Sequence, residues 1–143
     1  MSSKPHITKG DFAATFPNLV HGRQLLPTKR VDLQMLLLST VLDLSSATTY
    51  SESQINEELR RWISRFGTNL TIDHVTLRRY LVDEAILQRD QFGSSYSLSP
   101  RFAFFSFDDS IRELDLDKLV AQSQEDRAAR KRAYLAARAQ HHG

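Results

Sequence analysis

Two arginines stand side by side in the stretch TIDHVTLRRYLVDEAILQRDQFGSSYSLS, Thr71 to Ser99, and a third, Arg89, follows them. A guanidinium group presents a rigid fork of donors that matches a guanine edge or a phosphate, so this stretch could recognise nucleic acid. On a helical wheel at about 100 degrees per residue, Thr76, Arg79 and Asp83 cluster opposite Leu77, Leu81 and Val82, whereas Arg78 falls inside or beside the apolar stripe. The two arginines therefore have different expected roles. Arg79, with Thr76 and with His74 near the helix start, can face a major groove. The same spacing also fits an ordinary arginine on a solvated helix, and Asp83 and Glu84 repel phosphates from that face. Arg78 is expected to be structural, in an ion pair with Asp83, or with Glu84 or a carboxylate of a neighbouring helix, its stem lying on the core. Arg89 is the cation nearest the turn Gln91–Ser95; it either contacts nucleic-acid backbone or belongs to a hairpin that simply completes the fold.

Other chemistry finds little support. His6, His21, His74, His141 and His142 are scattered or terminal and form no zinc-binding spacing. The stretch DLDLD offers Asp115 and Asp117 but lacks the glycine and distal glutamate of a calcium loop. There is no nucleophile elbow, phosphate-binding loop or dinucleotide fingerprint. The chain has no cysteine, which excludes disulfides and thiolate metal sites. The expectation is a non-enzymatic protein with no cofactor and no metal.

Those side chains need elements to position them. Val31, Met35, Leu38 and Leu42 recur at helical spacing from Thr28 onward, and Leu33, Leu36, Leu37 and Val41 make that helix apolar nearly all round. It should lie deep in the core. Ser51 and Gln54 form a capping box that opens a second helix, whose stripe is Ile55, Leu59, Trp62, Ile63 and Phe66 and whose natural stop is Gly67. A third helix is expected from about Ile72 to Ala85, capped by Thr71 or Asp73, with Val75, Leu77, Leu81, Val82 and Ala85 on its apolar face. Ile86–Arg89 and Ser95–Leu98 flank the turn-prone DQFGS and read as a hairpin, which must pack Leu87, Tyr96 and Leu98 on the helices. Three helices followed by a hairpin is the order of a winged helix-turn-helix.

The segments LPTKRVDLQMLLLSTVLDL, YSESQINEELRRW and VTLRRYLVDEAILQRDQFGSSYSLS together resemble the bacterial family known as domain of unknown function 2087. The positions that carry the resemblance are Tyr50, Ser51, Glu52, Ile55, Asn56 and Leu59, then Thr76, Leu77, Arg78, Arg79, Leu81, Val82, Asp83, Leu87, Arg89, Gly93 and Tyr96. It covers Leu26 to Ser99, about half of the chain. Such domains often occur on the C-terminal side of arsenical-repressor-like winged-helix regulators, so the resemblance implies a winged-helix fold and a role in transcriptional control. Here no separate reader domain is expected before the match, and residues 100–143 follow it.

Residues 1–27 carry Pro5, Pro17, Pro27, Gly10 and Gly22 and read as an N-terminal arm with at most one short helix near Asp11–Phe16. Residues 28–100 are the expected winged helix-turn-helix domain. Residues 101–124 follow as an aromatic and helical extension, with Phe102, Phe104, Phe105, Ile111, Leu114 and Leu119 as the expected dimer interface, or else the end of the monomer's core. Residues 125–143 form a basic helical tail in which Arg127, Arg130, Lys131, Arg132 and Arg138 outnumber Glu125 and Asp126. This tail and the lead-in residues Lys29 and Arg30 could add sequence-independent attraction to phosphates. The length of 143 residues and 41% hydrophobic content suit one modest core, and 19 basic against 17 acidic residues is too balanced to announce a nucleic-acid binder by itself.

The sequence thus leads to a mainly helical protein with a small hairpin and a C-terminal helical extension. Its expected function is binding of duplex DNA in transcriptional regulation, as a homodimer in the cytoplasm. The alternative is a protein- or RNA-interaction module of the same fold. No secretory signal or membrane span is expected.

Overall fold

The computed structural model describes residues 4–22 and 24–141, and the chain divides into two units, Met1–Arg112 and Glu113–Gly143. The first is mainly helical with two small sheets. At its centre lies α2 (Arg30–Val41), in which Met35, Leu36, Leu37, Leu38 and Val41 are all buried. A helix apolar on every side can only sit inside a core, and this one also buries Ser39 and Thr40. Their hydroxyls donate to the carbonyls of Leu36 and Leu37, whereas the Oε1 of Gln34, also buried on this helix, has no hydrogen-bond partner among the described residues.

The strand β2 (Tyr50–Ser51) leads into α3 (Glu52–Phe66), and the capping box is formed as expected: the Gln54 amide donates to Ser51 Oγ at 3.1 Å and the Ser51 amide donates to Gln54 Oε1 at 2.8 Å. Ile55, Leu59, Trp62 and Phe66 form its buried stripe, and the Trp62 indole donates to Ser39 Oγ at 3.1 Å, tying α3 to α2. Gly67 closes the helix through its amide on the Ile63 carbonyl at 2.9 Å. A Cβ at Gly67 would stand 2.9 Å from the Trp62 ring, so the close approach of ring and backbone admits no side chain there.

Next comes α4 (His74–Asp83), capped by Asp73, whose carboxylate accepts from the Thr76 amide at 2.8 Å. That bond holds the Asp73 carboxyl below its usual range. The helix stops two residues short of the expected Ala85, for a local reason. Ala85 adopts a left-handed φ of 59°, and the amides of Ala85 and Ile86 donate back to the carbonyls of Val82 and Leu81, which is the Schellman arrangement normally built on glycine. The turn delivers the chain directly into β3 (Leu87–Arg89), and β4 (Ser95–Leu98) returns antiparallel to it with Arg89 opposite Tyr96. β2 adds to the far side of β4, giving a three-stranded antiparallel sheet in the order β2-β4-β3. At the tip Gly93 takes a φ of 70°, which a turn this tight requires.

The amino-terminal region corrects the expectation of an arm. A full helix, α1 (Lys9–Val20), runs through it and buries Phe12, Phe16, Leu19 and Val20. Pro17 lies inside this helix; an interior proline costs roughly 3 kcal/mol in propensity, and burial of two phenylalanines and two aliphatic side chains outweighs it. Ahead of α1, β1 (His6–Ile7) pairs in parallel with β5 (Ser106–Phe107), so the chain closes on itself across a long separation.

The aromatic segment is also corrected. Phe102, Phe105 and Ile111 are buried within the first unit, where the Phe102 ring packs on Phe105 and Phe107 at centroid distances of 5.2 and 5.6 Å. These three side chains close the unit's own core and are unavailable as a dimer surface. Phe104 is partly exposed, with the Arg30 guanidinium 5.0 Å above its ring.

A short 3₁₀ helix, Asp109–Glu113, leads to α5 (Leu116–His141), a single helix that runs from the expected extension through the basic tail. Leu114 and Leu119 are half-buried, and every residue from Ala129 to Gln140 is exposed. Among the described residues no helix is long and apolar enough to cross a membrane.

Candidate functional site

Helix α4 and the hairpin strands meet along a cleft of about 400 Å³ lined by Arg78, Arg79, Val82, Asp83, Arg89 and Tyr96. The capped start of α4 and its left-handed stop fix which residues look outward. Leu77 and Leu81 point into the core while Thr76, Arg79 and Asp83 are exposed, as the wheel requires. Arg89 reaches the cleft from β3, and its partner across the ladder, Tyr96, forms the floor with only 3% exposure.

The two adjacent arginines stand in different surroundings, and Arg78 pairs not with Asp83 but with a carboxylate of a neighbouring helix, the other kind of partner expected for it. Its guanidinium donates to Asn56 Oδ1, lies 3.5 Å from Glu52, and sits 5.4 Å above the Tyr96 ring. The partner is thus the first residue of α3, because Arg78 leans toward the face α4 packs on α3, and Asp83 lies on the solvent side. Arg79 and Arg89 make no hydrogen bond or ion pair with the described residues and leave their donors to solvent.

The other expected contacts are distributed differently. His74 is half-buried, its Nε2 3.3 Å from the Arg60 guanidinium, which as an obligate donor makes the imidazole nitrogen the acceptor. Thr76 is exposed on the same face as Arg79. Arg30 is held by Glu84 at 3.3 Å and by the Phe104 ring, so it fastens α2 to the end of α4; Lys29, the residue before the helix, is exposed. Arg127, Arg130, Lys131 and Arg132 lie on α5 in the second unit, where Arg132 pairs with Glu125 at 3.3 Å and Arg130 donates to the Asp126 carbonyl at 3.4 Å.

One constellation was invisible in the sequence. His6 stands between Ser106 Oγ, 2.7 Å from Nδ1, and Asp108 Oδ1, 2.7 Å from Nε2. Serine, histidine and aspartate in that order form the skeleton of a nucleophilic relay. The surroundings favour a structural clasp. The amides of Ser106 and Asp108 are already bonded to the Pro5 and Ile7 carbonyls and cannot stabilise an oxyanion, and Asp108 Oδ2 accepts from the Lys9 amide at the start of α1. Both bonds hold the Asp108 carboxyl below its usual range, the one from His6 foremost. No sequence signal could have found this, since the residues come from opposite ends of the unit. Among the described residues no three histidine, aspartate or glutamate side chains are grouped to hold a metal ion.

A family model described as an uncharacterised protein conserved in bacteria, domain of unknown function 2087, matches residues 24–98. The chain belongs to that family. No curated protein matches it, and no solved structure does. The matched stretch contains the whole of the cleft, and all six lining residues are positions of the motif that suggested the resemblance.

Proposed function

We propose that this member of the family is a winged helix-turn-helix domain that binds duplex DNA and acts in transcriptional control. The observation that carries the reading is the cleft itself: Arg79 from α4 and Arg89 from the hairpin face one space, and neither makes a hydrogen bond or ion pair with the described residues, the Arg79 charge acting only at longer range on Asp73. The element order supports it. Helices α2, α3 and α4 are followed by the β3–β4 hairpin, and β2, between the first two helices, completes the sheet. In this reading α4 lies in the major groove, which at about 12 Å is wide enough for a helix. Thr76 and Arg79 read base edges there, and Arg89 and the hairpin contact the phosphate backbone.

The test is selection from a random duplex pool across a salt series, with Arg79→Ala alongside. The expected result is an enriched motif, with Arg79→Ala losing about 1–3 kcal/mol and relaxing the preference at one position. No retention at low salt, or a motif indifferent to Arg79→Ala, overturns it. One observation favours the second reading, a protein-interaction module: Phe92 at the hairpin tip is 81% exposed, an apolar group placed where a protein partner could cover it.

A further inference from the structure

We propose that the cleft between α4 and the hairpin is a binding site for a single phosphate group, clamped by the guanidinium groups of Arg79 and Arg89. The proposal shares its residues with the DNA reading but does not require it, because the phosphate can belong to a duplex backbone or to a free phosphomonoester.

Charge is the first argument. Three arginines and one aspartate line the space. Arg78 is partly compensated by Glu52 at 3.5 Å, a carboxylate supplied by α3 and itself half-exposed. Arg79 and Arg89 make no ion pair or hydrogen bond with the described residues; the Asp73 carboxylate, which feels the Arg79 charge, is already engaged by the Thr76 amide at the helix start. Like charges held around one cleft repel, and an anion entering it relieves that repulsion while accepting charge-assisted hydrogen bonds from both forks.

Pre-organisation is the second. The floor is rigid: Tyr96 is buried, Arg78 is fixed over its ring and bonded to Asn56, and Arg89 is in ladder register with Tyr96. At the hairpin tip, a Cβ built at Gly93 would stand 3.9 Å from Tyr96 Oη and 4.0 Å from Arg89 Nη1, so the phenolic hydroxyl and the guanidinium stand beside the same turn. A hydroxyl and guanidinium forks are the donor set that tetrahedral oxyanions take.

Size and selectivity follow. A space of about 400 Å³ is many times the roughly 30 Å³ of one water, enough for a phosphate with its ester group. Asp83 on the rim opposes anions in general and accepts a hydrogen bond, which favours a phosphate bearing a proton or lying next to a hydroxyl over a bare halide.

The experiment follows the arginine Nε–H resonances of the full chain by NMR while inorganic phosphate is titrated at ionic strength held constant with chloride. A duplex of random sequence is then added to the phosphate-loaded protein. Saturable shifts of Arg79 and Arg89 with phosphate and none with chloride are expected. Arg89→Gln, checked for folding by circular dichroism, should weaken phosphate about tenfold, and Asp83→Asn should strengthen it about two- to fivefold. Displacement of phosphate by duplex identifies the source as a nucleic-acid backbone. Saturable phosphate binding that duplex leaves untouched supports the site with a free phosphomonoester as its ligand, and defeats the DNA reading alone. Shifts that chloride reproduces, or phosphate binding indifferent to Arg89→Gln and Asp83→Asn, overturn the site even if duplex is retained elsewhere on the protein.

Discussion

The cleft beside α4 and the aromatic stretch after Pro100 make an instructive pair, because both carry the side chains that recognition surfaces favour and they dispose of them in opposite directions. In the cleft, arginines on a capped helix and a paired strand turn outward, with two guanidinium groups lacking a partner among the described residues. In the aromatic stretch, Phe102 and Phe105 turn inward and pack on one another at a tilt. Residue type alone does not separate the two cases. The difference lies in the ordering element: a helix with a fixed start and a clear period assigns each side chain a direction, whereas an irregular segment assigns none until the rest of the chain is in place.

The most forceful way to break this contrast is to truncate one side of it. Phe105 is fully buried between Phe102 and the remainder of the first unit, so Phe105→Ala should cost about 3–5 kcal/mol of stability by chemical denaturation. Sedimentation of the folded fraction should be unchanged. If the variant instead kept its stability and changed its state of association, the segment would be a surface after all and the burial argument would fail.

A smaller effect separates the adjacent arginines. Arg78 is 14% exposed at its side chain and holds Asn56, Glu52 and the Tyr96 ring. Arg78→Ala leaves Asn56 without its donor and should cost roughly 1–3 kcal/mol. Arg79→Ala, which removes no hydrogen bond or ion pair with the described residues, should lie within about 0.5 kcal/mol of the parent. Equal costs for the two would show that the division between a structural and a free arginine is wrong.

How far the sequence foretold this arrangement depends on how local each cause is. The capping box at Ser51 and Gln54, the outward turn of Thr76 and Arg79, the hairpin and its glycine all arise from interactions within a few residues, and they were legible. For Arg78 a carboxylate of a neighbouring helix was among the expected partners, but which one was not legible, because the wheel gives a direction and not the neighbour found there; Glu52 is supplied by α3. Helix α1 is poorly signalled by the sequence because Gly10 and Pro17 have low helix propensity, while its stability comes from tertiary burial of Phe12 and Phe16. The β1–β5 pair is two residues long on each side and has no period to detect. Its register is set by Ile7 entering the core and by the His6 clasp, both of them long-range.

The gentlest test compares a local with a long-range carboxylate. Asp90 in the hairpin turn accepts from the Ser94 hydroxyl and from the amides of Ser94 and Ser95, which lowers its pKa to about 2. Asp108 is lowered by His6 and by the Lys9 amide. For either group the unfolded chain binds more protons than the folded one between its ordinary value near 3.8 and its folded value, so stability rises with pH across that window. The contribution is complete above the ordinary value and disappears as pH falls through the folded one. The two should still differ. The partners of Asp90 lie within five residues and can persist in the unfolded chain, which diminishes its linkage, whereas those of Asp108 come from the amino-terminal segment and are lost on unfolding. Urea midpoints measured from about pH 5 to pH 2 should therefore flatten more for Asp108→Asn than for Asp90→Asn. Asp108→Asn should also lower the midpoint at neutral pH, because an amide there cannot serve His6 and the Lys9 amide as the carboxylate does. Greater flattening for Asp90→Asn would mean that the turn forms only with the fold and that the clasp contributes little to holding the first unit closed.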